Sequence, residues 1–241
     1  MRVVSLVPSA TETLRALGVD PVACTRFCEQ PDLPTVGGTK DPDVAAIAAL
    51  APDLVVVNDE ENRREDADAL VAAGLTLHSM SPRALDDVGP AVCALAAAVG
   101  VPVPDPFDAA AWPRLLDATR RPARARAATL VWRRPWMTMR DDTYGASLLA
   151  HLGVANVCPE GEGRYPETTL AALAGMAPDL VILPSEPYPF GERHVPEVAA
   201  ALPDARPVLV DGRDLFWWGI RTPTALARLA SGWFFRMDWS P

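Results

Sequence analysis

The chain lacks any apolar run long enough to span a bilayer. Its first residues, Met1-Arg2-Val3-Val4-Ser5-Leu6-Val7-Pro8, are too short for the apolar region of a secretory leader and carry no cleavage site. Two addresses follow: cytoplasmic for the chain as it stands, or extracytoplasmic (periplasmic) if a leader has been removed. Positive charge is scarce. Lys and Arg total 22 against 31 Asp and Glu, for a net charge of −9. That excludes the basic face of a nucleic-acid binder and an electrostatic hold on an anionic membrane. Cysteine is limited to Cys24, Cys28, Cys93 and Cys158. The first two are separated by three residues, not the two of a redox or zinc pair, so free thiols are expected rather than a disulfide framework. His78, His151 and His194 lack metal-ligand spacing, so no metal site is expected. Phosphate-loop, dinucleotide and Gly-x-Ser-x-Gly signatures are absent, and no catalytic residue or cofactor is assigned. Aromatics make up only 7%, yet seven of them are Trp.

What is present is a repeat. Ala51-Pro52-Asp53-Leu54-Val55-Val56-Val57 returns as Ala177-Pro178-Asp179-Leu180-Val181-Ile182-Leu183, an offset of 177 − 51 = 126 residues. Each copy is a Pro-Asp turn followed by residues apolar at every position, the pattern of a parallel strand buried on both faces. A polar segment with Glu follows each: Asn58-Asp59-Glu60-Glu61-Asn62 and Ser185-Glu186-Pro187-Tyr188. Ligands of open α/β sheets bind outside the carboxyl ends of such strands. The reading is α/β: two Rossmann-like lobes with mainly parallel sheets, joined by a helical linker. The N-terminal lobe is placed at 1–82, the linker at 83–126 and the C-terminal lobe at 127–241.

Along the chain, residues 3–7 predict a strand and 12–17 a helix, with Ser9 or Thr11 as its cap and Gly18 at its end. A second strand is expected at 21–26, and helices at 44–50 and 62–73. Pro90 is expected to split or kink a helical stretch over 84–99. Further helices are expected at 108–120 and 224–235, and a late strand at 207–210. Residues 214–223 read as an aromatic loop.

Candidate ligand contacts lie after the strands. Trp132 and Trp136 follow the first strand of the second lobe, Tyr188 and Phe190 the repeated one, and Trp217 and Trp218 precede the last helix. Large rigid faces at one sheet edge suit a flat or bulky organic ligand, or else plug the sheet's end as core. Glu60, Glu61 and Glu186 can bond amide groups of a ligand or meet a partner's arginines. Ser9, Phe27, Asn58, Tyr144 and Arg221 complete the candidate wall.

Val36-Gly37-Gly38-Thr39-Lys40, Pro8-Ser9-Ala10-Thr11-Glu12 and Leu50-Ala51-Pro52-Asp53-Leu54-Val55 resemble the cobalamin/iron-chelate substrate-binding proteins of ABC importers. Glu60-Glu61-Asn62, Ser185-Glu186-Pro187-Tyr188-Pro189-Phe190 and Trp217-Trp218-Gly219-Ile220-Arg221 are similar to a cobalamin-binding subgroup. The resemblance implies a monomer that clamps a corrinoid, without catalysis, between two lobes on a helical backbone. It also implies docking on an ABC permease through one acidic residue per lobe: Glu61 or Glu65 on the first, Glu186 or Glu192 on the second. Two alternatives stand beside cobalamin: haem, a ferric siderophore or another metal chelate on the same fold, and a cytoplasmic enzyme acting on a tetrapyrrole.

Overall fold

A computed structural model describes residues 1–231. The chain divides into two compact units. The first comprises Met1–Pro82, Asp86–Pro113 and Trp218–Arg221. The second comprises, among the described residues, Arg83–Leu85, Arg114–Trp217 and Thr222–Ser231.

In the first unit, β1 (Val3–Ser5), α1 (Pro8–Ala16), β2 (Ala23–Cys24), α2 (Val44–Ala49), β3 (Leu54–Val57), α3 (Arg64–Ala72) and β4 (Leu77–Ser79) follow in order. α4 (Val88–Val99) completes the unit, and the chain leaves it within α5 (Ala111–Thr119). The sheet runs β2-β1-β3-β4, with every pairing parallel. β1 and β3 are buried at every residue, as continuous apolar runs require. Val4, Leu6, Val55 and Val57 pack with Ile47 of α2 and Leu70 of α3.

The second unit is built from β5 (Ala125–Trp132), β6 (Trp136–Thr138), α6 (Tyr144–His151), β7 (Val154–Asn156), β8 (Glu167–Thr168) and α7 (Leu170–Gly175). β9 (Leu180–Pro184), α8 (Val195–Ala201), β10 (Arg206–Val210), α9 (Gly212–Phe216) and α10 (Thr222–Ser231) follow. β7, β5, β9 and β10 lie side by side and parallel, the order of β2, β1, β3 and β4 in the first unit. β6 and β8 add an antiparallel flank.

The repeated Pro-Asp turns do the same work in both units. Asp53 accepts from the backbone N–H of Arg2 at 2.6 Å, and Asp179 from that of Arg126 at 2.7 Å. The guanidinium of Arg2 returns to the Leu50 carbonyl at 2.8 Å, and that of Arg126 to the Ala177 carbonyl at 3.0 Å. Ala51 and Ala177 both take left-handed backbone, with φ of 45° and 47°. The aspartates therefore hold the amino ends of paired strands in register, and the opposite edge of each sheet carries the loops that follow β3 and β9.

Local expectations are corrected in places. Neither Ser9 nor Thr11 caps α1; Val7 holds the cap position and Pro8 opens the helix, where its missing N–H costs nothing. The Thr11 and Thr13 hydroxyls turn back to the carbonyls of Val7 and Ser9. Pro90 does not break α4, because it falls in the first turn, where a backbone donor has no intrahelical partner. Residues 214–216 belong to α9 rather than to a loop. β6, β7 and β8 were not foreseen. The expected helix over 224–235 begins at Thr222, and its residues beyond 231 lie outside the described part. No helix among the described residues is long and apolar enough to cross a membrane.

Candidate functional site

The carboxyl edge of the second unit's sheet carries a cluster of rings. Trp132 ends β5, and a tight turn through Arg133, Arg134 and Pro135 leads to Trp136 on β6. Tyr188 and Phe190 come from the segment after β9. Trp132 meets Tyr188 edge to face at 5.6 Å between centroids, and Tyr188 meets Phe190 at 4.7 Å. Phe190 stacks on Trp136 at 6.2 Å with planes 3° apart. His194 packs edge-on against Tyr188 and Phe190, and its Nδ1 accepts from the Gly191 N–H. Trp132 stays 42% exposed while Phe190 is buried, so the cluster has a core side and a solvent side. Arg133 lies over the Trp136 ring at 5.5 Å and pairs with Glu197 at 2.9 Å. Glu197 and the Tyr188 phenol beside it hold the guanidinium charged.

Glu186 is committed within the same unit. Its carboxylate accepts from the Trp217 indole N–H at 2.9 Å and from Arg213 Nε at 3.1 Å. Ser185 Oγ accepts from the Gly212 N–H, tying the loop after β9 to the start of α9. Gly212 is required there, since a Cβ would sit 2.5 Å from the Glu186 backbone nitrogen. Tyr144 is enclosed, with its hydroxyl 3.1 Å from Thr222 Oγ1, and burial pushes its phenol up.

In the first unit the polar loop after β3 is organised by two buried amides. Asn58 Oδ1 accepts from the Glu60 and Glu61 N–H groups at 2.7 and 3.0 Å, and its Nδ2 donates to the Met80 carbonyl at 2.9 Å. Asn62 Oδ1 accepts from the Asn58 N–H, and its Nδ2 donates to the Thr39 carbonyl. Asn58 thus ties together the loops that leave β3 and β4. Lys40 Nζ donates to the Glu60 carbonyl. Phe27 stands 50% exposed with the Arg26 guanidinium 4.8 Å from its centroid. Arg26 in turn pairs with Asp41 at 2.9 Å.

Arg221 makes a two-pronged bond to Glu12 of α1, at 2.9 and 2.6 Å. The adjacent Ile220 N–H donates to Thr13 Oγ1. Ser9, in the first turn of α1, is buried, and Trp218 is buried as well.

The structure therefore brings together Trp132, Trp136, Tyr188 and Phe190 in one cluster, and Glu186 with Trp217 in another. Ser9, Phe27, Asn58, Glu60, Glu61 and Arg221 fall in the first unit. Glu65 lies in the first turn of α3 and Glu192 opens a 3-10 turn, both exposed. Sequence reading missed Arg133, Arg213 and His194. Arg133 could have been found from its place directly after a strand-ending Trp, and His194 from its place a few residues after Tyr188, Phe190 and Gly191, the partners it packs against. Among the described residues no group of three His, Cys, Asp or Glu forms a metal site.

A family model for periplasmic binding proteins matches residues 3–187. The chain belongs to that family. Its fold is that of the class III substrate-binding proteins of ABC importers. Members of the family are periplasmic binding proteins. Comparison with curated proteins finds no match. Among solved structures, the periplasmic vitamin B12 binding protein BtuF of Vibrio cholerae aligns over 95% of both chains, with TM-score 0.76 and 18% identity. A periplasmic haem-binding protein from Pseudomonas aeruginosa aligns over 95% of this chain and 91% of its own, with TM-score 0.78 and 21% identity. The periplasmic haem-binding protein BhuT, in complex with two haems, aligns over 95% and 96%, with TM-score 0.74 and 24% identity.

Proposed function

We propose that this periplasmic binding protein carries a corrinoid, cobalamin, unchanged, as the substrate-binding component of an ABC importer. The observation that carries the reading is the ring cluster at the carboxyl edge of β5 and β9, with Trp132 open to solvent. A rigid indole gives a large ligand contact area at small entropic cost.

Charge favours a ligand with a neutral rim. Arg26, Arg133, Arg213 and Arg221 stand near the candidate residues, and each already faces a carboxylate: Asp41, Glu197, Glu186 and Glu12. A dianionic haem would have to draw cations out of these pairs. A ligand fringed with uncharged amides leaves them intact and can accept from or donate to their edges. Folds so alike host both ligand classes in their named neighbours, so the reading of cobalamin over haem is supported by the charge pattern and not by the fold.

A second reading, haem, has one specific support. The Tyr188 phenol lies beside Arg133, and an oxygen ligand next to a cation suits ferric iron. For the permease, Glu65 and Glu192 are the better-situated docking residues. Glu186 is held by Trp217 and Arg213, whereas the other two are exposed on separate units.

Titrating the purified protein with cyanocobalamin tests the reading through quenching of Trp fluorescence. Saturable quenching at micromolar ligand is expected. Trp132→Ala should weaken binding by about tenfold or more, as loss of a central aromatic anchor does. Absence of saturation, together with a visible-band shift on adding haem that Tyr188→Phe abolishes, would move the assignment to the second reading.

A further inference from the structure

Arg133 stands in the turn between Trp132 and Trp136, on the ring-bearing edge of the second unit. Its side chain is 19% exposed, and its guanidinium lies over the Trp136 ring at 5.5 Å. Nε and Nη2 both donate to one carboxylate oxygen, Glu197 Oε2, at 3.1 and 2.9 Å. Glu197 comes from α8, and its own side chain is 43% exposed. The other arginine–carboxylate pairs are placed differently. Arg26 and Asp41 are both at least half-exposed, where salt screens them. Glu186 holds the Trp217 indole as well as Arg213, and Arg221 with Glu12 belongs to the first unit. A guanidinium laid on an indole beside an open Trp is suited to grip a flat ligand that carries carboxylates. Here one side of its fork is already filled by Glu197.

We propose that Glu197 sets the selectivity of the ring cluster: by pairing with Arg133 it cancels the cation set among Trp132, Trp136 and Tyr188, and so turns away flat ligands with an anionic rim. Ligands with a neutral rim keep the same ring faces and meet no unpaired charge. Glu197 acts through Arg133 and is a positioning residue rather than a ligand contact. The pair also fixes the guanidinium in place over Trp136, so that the cation neither swings out to solvent nor reaches for a ligand carboxylate. This inference rests on the reading of the ring cluster as the ligand face. Its consequence is a sign: taking away the negative charge of Glu197 should improve binding of an anion, whereas taking away the positive charge of Arg133 should worsen it. A merely structural role for the pair would make both changes harmful to every ligand alike.

Haem and its dimethyl ester separate charge from shape, because the ester keeps the ring and the iron and loses the carboxylate charges. Affinities of both probes for the full-length protein and its variants are read from quenching of Trp fluorescence at low and high salt. Glu197→Gln should tighten haem by about fivefold at low salt, the scale of one partly exposed ion pair, and move the ester by less than about twofold. The gain should vanish at high salt. Arg133→Gln, which bares the Glu197 carboxylate, should weaken haem and spare the ester. The double variant Glu197→Gln with Arg133→Gln should return haem to within about twofold of the parent. Unchanged haem affinity in Glu197→Gln, equal tightening of the ester, or a gain that survives the loss of Arg133 would each overturn the inference. If Glu197→Gln fails to fold, Glu197→Ser is read in the same way. Cyanocobalamin titration of the parent, run alongside, reports separately on the ligand reading: no saturable binding there would sink that reading while the haem–ester contrast still decides the role of Glu197.

Discussion

Asp53 and Asp179 show how a single residue type fixes a fold twice. Each accepts from the N–H that opens the neighbouring strand, at 2.6 and 2.7 Å. Asp53→Ala and Asp179→Ala should each lower stability by about 1 kcal/mol, the worth of a charge-assisted bond at a partly exposed site. Urea unfolding measures this, and equal midpoints for variant and parent would contradict it. His78 offers a pH signature. It is half-buried on β4, and desolvation holds its imidazole below the usual range. A His depressed in the folded state contributes fully above the unfolded value. That contribution fades as pH falls through the unfolded value towards the folded one. Stability should therefore decline on acidification below about pH 6.5, the unperturbed histidine value, and His78→Gln should flatten that slope. A profile unchanged by the substitution would assign the acid sensitivity elsewhere.

At the scale of elements, long uninterrupted signals were readable and short ones were not. β3 and β9 were plain from continuous apolar runs, and their loops were correctly placed at the carboxyl ends. β6, β7 and β8 have three, three and two residues, too few for any periodicity to show. They are set by pairing: β6 folds back on β5 across a tight turn, while β7 pairs with β5 and β8 with β6 over longer stretches of chain. The helix-cap error at α1 has a similar cause: Thr11 had a competing acceptor one turn back, and composition alone does not rank the two bonds. Ring residues at the candidate site were legible because aromatics are few and these fall at or just after strand ends. The ion pairs that neutralise Arg133, Arg213 and Arg221 were not, since their partners lie 64, 27 and 209 residues away. Gly89 on α4 gives an element-scale test. A Cβ there would fall 2.5 Å from Trp112 Cγ, and Trp112 stacks on Phe107 at 5.1 Å. Gly89→Ala should cost about 1–3 kcal/mol through overpacking, despite the better helix propensity of Ala. A neutral or raised unfolding midpoint would show that the stack can shift aside.

For the whole molecule, duplication is the governing fact. One strand order, one Pro-Asp clamp and one left-handed Ala recur in both units, and each unit offers its own carboxyl edge. The edges differ in chemistry. The second unit's edge is aromatic, and the first unit's is polar and stiffened by Asn58 and Asn62. A net charge of −9 combined with locally paired arginines leaves little for an anionic ligand to grip. The most direct measurement is calorimetric titration with cyanocobalamin and with haem, side by side, at low and high salt. The account predicts micromolar or tighter cobalamin binding that changes by less than about twofold with salt, since apolar contact is not screened. Haem binding that is tighter than cobalamin binding and collapses as salt rises would contradict it.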